Sequence, residues 1–404
     1  MQDDQQHMVK DNAQSLGRTG RFGRRGTGRF GRRGMSRLLA IASATTMSVV
    51  LAGTGVSSVS AASPTGGQKT PTPISKLVAQ SHKEGGLTIY GNAPAPYLKP
   101  VITAFEHLYP WINVQDYDLT DNQVFSKYES EHAQGARSAD LLISSGPGLW
   151  VQAERNGLVQ NVTPLGLANF PASTNQGHGV YVMSPEPILS AYNEKLLTAS
   201  AVPKTYAQLV RDVSANPAKY KLVSYPITNP LAYGAVYGLI HILGAKTVWS
   251  DLKVLGPNTK TFNEGLDGLQ YMLQGGASIG YVSSGLTQGV LPHYQGLANY
   301  VFMADATPLI PRGIGVAAGA SSPASAQLLM DFLFSGPGQQ ALCAAGFEAS
   351  ENGFTPTNGC TASLTQLYKM VPPSRVYLVP FSADLLRQQA SITARWNRAF
   401  HVGS

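Results

Sequence analysis

Apolar positions along the chain fall into short blocks whose spacing alternates between a continuous β-prone run and a three-and-four helical rhythm. Residues 87–90 form such a run, and apolar side chains at 98, 101, 102, 105 and 108 predict a helix over 97–108. A strand follows over 111–117, a helix over 122–133, a buried strand over 139–143 and a short helix over 148–156. The rhythm resumes with strands at 188–192, 222–225, 278–282 and 314–317, and helices at 206–213, 232–243, 324–334 and 385–400. Strand–helix alternation of this kind predicts an α/β protein whose sheets are mostly parallel. No internal repeat and no second long apolar segment breaks the pattern after residue 62.

The opening residues read differently. Arg37 precedes an uncharged stretch from Leu38 to about Gly53, and small residues lead to Ala61 and Ala62. Basic, apolar, then small is the order of a cleaved secretory signal peptide, and the apolar part is too short for a membrane span. Residue 54 is Thr rather than Cys, which speaks against a lipid anchor. Upstream, TGRFGRRG occurs twice in succession over 19–34. It reads as a long basic n-region, or as sequence ahead of a start at Met35, rather than as a nucleic-acid tract. Arg32 and Arg33 leave a twin-arginine route open. Residues 1–62 are thus a leader with its core at 35–62, and the Pro, Gly, Ser and Thr of 63–73 begin a linker that runs with a first helix to 84.

The leader changes the meaning of the charge. The whole chain has 30 Lys/Arg against 23 Asp/Glu, but residues 1–62 hold nine of the former and three of the latter. What remains is 21 against 20, a nearly neutral protein with no overall bias toward nucleic acid or an acidic membrane. About 340 residues is more than a single core usually holds, so two lobes are expected. Cys343 and Cys360 are the only cysteines. They are a candidate disulfide in an exported protein, and free thiols in a cytosolic one.

Catalytic and metal motifs are sparse. The stretch 276–280, GASIG, has the form G-x-S-x-G, but Ser278 stands at the start of an apolar strand instead of on a strand-to-helix turn. Asp305, Asp331 or Asp384 with His401 would have to complete a triad. The context speaks against a hydrolase, and the chain is read as a non-enzyme. The histidines are scattered, with no metal-like pair, and there is neither a P-loop nor a dinucleotide fingerprint. No cofactor is expected.

Several segments together resemble the ferric-iron type of extracellular solute-binding proteins, within the type II periplasmic binding superfamily. They are GLTIYGN at 86–92, VITAFEHLYPWINV at 101–114, ADLLISS at 139–145, AYN at 191–193 with PKTYAQL at 203–209, PRGIGV at 311–316, DFLFSGPGQQ at 331–340 and RWN at 395–397. The resemblance runs over 85–400. It implies two α/β lobes, each a mostly parallel sheet flanked by helices, joined by crossing hinge strands. Lobe 1 would comprise 85–187 and 305–350, lobe 2 188–304, and a C-terminal segment, 351–404, would pack across both. It also implies the substrate-binding component of an ABC importer, a periplasmic or extracellular monomer that captures a small solute by hinge closure and docks on permease subunits. A sensor or scaffold that has kept the fold is the alternative from another class.

On that fold, ligands sit beyond the carboxyl ends of strands. Four hydroxyl- and amide-rich loops qualify: Tyr90 with Asn92, Ser144 with Ser145, Asn229 with Tyr233, and Tyr281 with Ser283 and Ser284. Such groups at helix starts suit a polar or anionic solute. Ferric-binding members use two adjacent tyrosines as iron ligands. Here Tyr281 stands alone before Val282, and no Tyr-Tyr pair occurs in the chain. The expected solute is therefore not a metal, with a ferric iron carrier as the alternative reading.

Overall fold

A computed structural model describes residues 71–357, 359–360 and 362–401. The leader, the head of the linker and residues 402–404 lie outside the described residues. Twelve strands are described: β1 Leu87–Gly91, β2 Val114–Asp118, β3 Leu141–Ser144, β4 Asn175–Gly177, β5 Val180–Pro187, β6 Leu189–Asn193, β7 Leu222–Ser224, β8 Thr259–Thr261, β9 Ile279–Ser283, β10 Ala298–Val301, β11 Thr307–Val316 and β12 Val376–Leu378.

They form two sheets. The first runs β2-β1-β3-β11-β5-β4, with β12 beside β11, and the second runs β10-β6-β9-β7-β8. Each has a parallel centre, β2-β1-β3 in one and β8-β7-β9 in the other. Parallel neighbours need a crossover. The helices Ala95–Leu108 and Asp121–Ala133 supply it in the first sheet. The former is entered through Pro94 and buries Leu98, Val101, Ile102 and Phe105. The latter begins with a capping box between Thr120 and Gln123, which satisfies two backbone N–H groups reciprocally.

Of the remaining strands, β4, β6, β11 and β12 run against this direction, while β5 and β10 run with it. β11 is antiparallel to β3 and β5, and β6 is antiparallel to β9 and β10. The sheets are therefore mixed around their parallel centres, because the strand by which the chain enters each lobe, β6 in the second and β11 in the first, runs the opposite way. β5 passes into β6 through Ile188, and residues 302–306 lead from β10 back to β11. The two crossings touch, since the Ile188 N–H donates to the Pro308 carbonyl at 2.8 Å.

Each sheet has its own core. Leu87, Ile89, Phe105, Ile143, Phe332 and Phe334 belong to the first, and Leu209, Leu222, Trp249, Ile279 and Tyr281 to the second. Two further helices of the second lobe escape the apolar pattern. Ala245–Leu255 follows Pro230–Leu243 after Gly244 alone, whose φ of 82° an L side chain rarely adopts. Gly265–Leu273 begins at Glu264 and has no side-chain cap.

The C-terminal helix Ala383–Ala399 packs on Pro147–Arg155 beside the first sheet and on Pro230–Leu243 and Ala245–Leu255 beside the second. Leu386 lies over Gly148, where a Cβ would stand 3.1 Å from its Cδ2. Cys343 and Cys360 are bridged, with Cα atoms 4.7 Å apart. Among the described residues no helix is long and apolar enough to cross a membrane.

Candidate ligand-binding cleft

A cleft of about 830 Å³ opens between residues attached to the two sheets. Its first wall comes from Asn92 after β1, the 118–123 turn after β2, Ser145 after β3 and Tyr97. Its second wall comes from Tyr225 after β7, Asn229, the 263–269 turn and helix start, and Ser284 after β9. The strand ends dictate this placement, since both parallel centres point their carboxyl ends toward the same opening.

At the floor lies a buried ion pair. Arg312 on β11 and Glu186 on β5 are 2% and 1% exposed. The guanidinium grips the carboxylate with two parallel bonds, Nε to Oε1 and Nη2 to Oε2, the latter 3.0 Å. Its Nη1 donates to the backbone carbonyl of Asn92 at 3.3 Å and also to Asn92 Oδ1. The Phe347 ring covers the guanidinium at 5.7 Å. Ser284 Oγ donates to Glu186 Oε2 at 3.1 Å and so ties the second wall to the pair. Burial depresses the arginine, but Glu186 and then Asp121 and Asp118 more than restore it, so its pKa lies above the usual value.

The sequence-predicted residues divide cleanly. Asn92, Ser145, Asn229 and Ser284 line the cleft. Asn92 donates to Ser145 Oγ at 2.7 Å, and Asn229 caps the helix behind it by accepting from Leu231 N at 2.9 Å. Ser283 lines a neighbouring slot of only about 30 Å³, shared with Tyr225 and Glu264, and its hydroxyl donates to Gly280 O.

Four others do not line the cleft. Ser144 is fully buried and donates to Asp121 Oδ1 at 2.6 Å. Tyr90 donates to Glu131 at 2.8 Å and lines a separate depression with Arg137 and Ser138. Tyr233 donates to the Leu385 carbonyl. Tyr281 is 1% exposed in the core of the second lobe, facing Thr259 and Ser224. Neither Tyr90 nor Tyr281 is among the residues that line the cleft.

Tyr281→Phe is accordingly expected to lower stability by about 1 kcal/mol, through a lost buried hydrogen bond, while solute affinity stays unchanged. Calorimetric titration of the variant checks this, and a large loss of binding would return the phenol to the site.

Sequence reasoning missed Asp118, Asp121, Glu264, Asp267, Tyr97, Tyr225 and Arg312, all of which line the cleft. Two signals were available. Asp118 and Asp121 stand at the carboxyl end of a strand, where ligand loops fall. Arg312 and Glu186 are single opposite charges in otherwise uncharged strands.

Ser278 is 1% exposed and donates to the Lys221 carbonyl at 3.1 Å, so it offers no reachable nucleophile. The aspartates considered with it have other partners. Asp305 accepts from Tyr206 N, Asp331 from Leu165 N and Asp384 from Tyr237 Oη. Among the described residues no group of three or more His, Cys, Asp or Glu is disposed to hold a metal ion.

Behind the ion pair, burial pushes the Glu348 carboxyl up to about 8, with Gln288 lowering it and Glu186 raising it further. Burial also carries Asp116 and Glu154 to about 7 and Asp331 to about 6. These groups hold a proton more tightly folded than unfolded, so their contribution is full below the ordinary carboxylate range and is lost as pH rises through those values. The melting temperature is expected to fall between about pH 5 and about pH 8.5, with Glu348→Gln flattening the upper part of the slope. A pH series of thermal melts checks this, and a melting temperature that climbs over the same interval would contradict it.

Residues 90–340 match the family of bacterial extracellular solute-binding proteins, and the chain belongs to that family. Among solved structures, it is similar to the substrate-binding protein of an ABC transporter from Agrobacterium tumefaciens. That likeness has a TM-score of 0.69 and 19% identity, and covers 80% of this chain and 96% of the other. It is also similar to the periplasmic binding protein AfuA of Actinobacillus pleuropneumoniae with fructose-6-phosphate bound, at TM-score 0.63, 17% identity and coverage of 79% and 99%. Iron-bound HitA of Pseudomonas aeruginosa gives TM-score 0.60, 18% identity and coverage of 76% and 99%. These neighbours share the two-lobed fold. No curated protein matches the sequence.

Proposed function

We propose that this protein is the extracytoplasmic solute-binding component of an ABC importer, which captures a small polar molecule by closing two lobes around it. The observation that carries this reading is the 830 Å³ cleft, into which both parallel strand centres direct their carboxyl ends. Its size suits a small organic ligand. The two crossings supply the hinge, and a solute that touches both walls favours the closed form by its differential affinity. Chemistry on the solute is not part of this reading.

The chain acts as a monomer, leaves the cytoplasm on the leader of residues 35–62, and loses it near Ala61 or Ala62. The decisive experiment joins the solute-loaded protein to its permease and ATPase in vesicles. ATP hydrolysis rises when the loaded protein is added, and scattering shows the protein itself contracting with solute. No stimulation, with a response from a sensor kinase instead, would replace import by sensing.

A further inference from the structure

We propose that the solute is an organic cation, a small molecule bearing amine or guanidinium groups; this rests on the solute-binding reading above and specifies it. The cleft walls carry four carboxylates, Asp118 and Asp121 on one side and Glu264 and Asp267 on the other, and one cation, Arg312. Arg312 is largely engaged within the protein. Four of its five N–H groups are directed to Glu186 and Asn92, and Glu186 offsets its charge.

Helix N-termini at the cleft would ordinarily attract anions. Here the chain supplies its own. Asp121 accepts from the backbone N–H of Ser145 at 2.8 Å and from both serine hydroxyls, and Asp267 occupies the first turn of its helix. Two of the helix starts thus carry an acid in their first turn, and with Asp118 and Glu264 the walls hold more negative than positive side chains.

The surplus acts across the gap. Glu264 is held above its usual range first by partial burial, then by Asp267, and then by Asp118 and Asp121 of the opposite wall. Lobes that close on an empty cleft bring like charges together. A cation between them converts that repulsion into attraction, so the ligand's charge itself favours closure.

Tyr97 and Tyr225 stand on opposite walls. Burial is the main cause that raises both phenols, with Glu186 next for Tyr97 and Glu264 for Tyr225, so both stay neutral. Neutral rings offer their faces to an ammonium or guanidinium group. An organic cation is favoured over a metal ion because the described carboxylates, spread over two walls, do not gather into a metal-holding group.

The test titrates the full chain with putrescine, spermidine, agmatine and thiamine, and separately with inorganic phosphate, fructose 6-phosphate and ferric citrate. Thermal shift and calorimetry are the readouts. The expected result is binding of at least one cation, weakened by salt. Asp118→Asn and Glu264→Gln, both at exposed positions, should each reduce affinity about tenfold or more, the scale of one charge-assisted hydrogen bond. Failure of all four cations overturns the proposal. Tight binding of phosphate, of the sugar phosphate or of iron overturns it too, yet leaves the solute-binding reading standing. That reading fails separately, if the loaded protein neither contracts nor stimulates its transporter.

Discussion

Arg312→Met is expected to destabilise the protein by about 3–5 kcal/mol, because it leaves the Glu186 carboxylate buried without a counter-charge. The pair is 2% and 1% exposed, so water cannot replace the lost partner. Glu186→Gln should cost a similar amount by stranding the guanidinium. The double change, Glu186→Gln with Arg312→Met, should recover a substantial part of the sum, since the pair's own desolvation is then removed. Chemical denaturation of the four proteins completes the cycle. Additive losses would show that the two side chains do not depend on one another. The effect should reach the cleft as well. Asn92 and Ser284 are both held by the pair, so the walls lose a shared fixed point.

The second large effect concerns the bridge between Cys343 and Cys360. The cysteines are 17 residues apart in sequence, and cross-linking a loop of that size stabilises by about 3 kcal/mol through the unfolded chain. Replacing both by Ser, or reducing the wild type, should lose about that much. The closed loop contains Phe347, which covers Arg312, and Glu348, which accepts from Gln288 at 3.4 Å. Loosening it therefore weakens the floor of the cleft and lowers solute affinity besides. Melting curves with and without reductant give the answer. Identical curves, with full reduction verified by thiol titration, would defeat the prediction.

Much of the fold is written in local pattern. The amphipathic spacing over 97–108 and the buried strands each follow from near neighbours, and so do the loops at strand ends that bring Asn92, Ser145, Asn229 and Ser284 to the cleft. Two kinds of feature are not written there. The first is side-chain facing in strands buried on both sides. β9 and β3 are buried along nearly their whole length and their apolar residues run consecutively, so no alternation tells which way Tyr281 or Ser144 points. The second is long-range pairing. Arg312 meets Glu186 across 126 residues only because β11 lies beside β5. The same pairing sets Pro185 opposite Pro311, two residues that disguise both strands in the sequence since neither can donate a ladder bond. The cleft's charge was hidden for a related reason. The chain after residue 62 is nearly neutral, and only the folded arrangement concentrates its acids on two facing walls.

The C-terminal helix Ala383–Ala399 rests on helices of both lobes, with Leu386 over Gly148 on one of them. A rotation about the crossings at Ile188 and 302–306 must therefore strain or slide one of those contacts. If the lobes close as proposed, the helix is a tether whose packing sets part of the free-energy gap between open and closed forms. Apparent affinity depends on that gap as well as on the fit of the solute. Changing Leu386, which does not line the cleft, would then shift apparent affinity without altering any group that faces the solute.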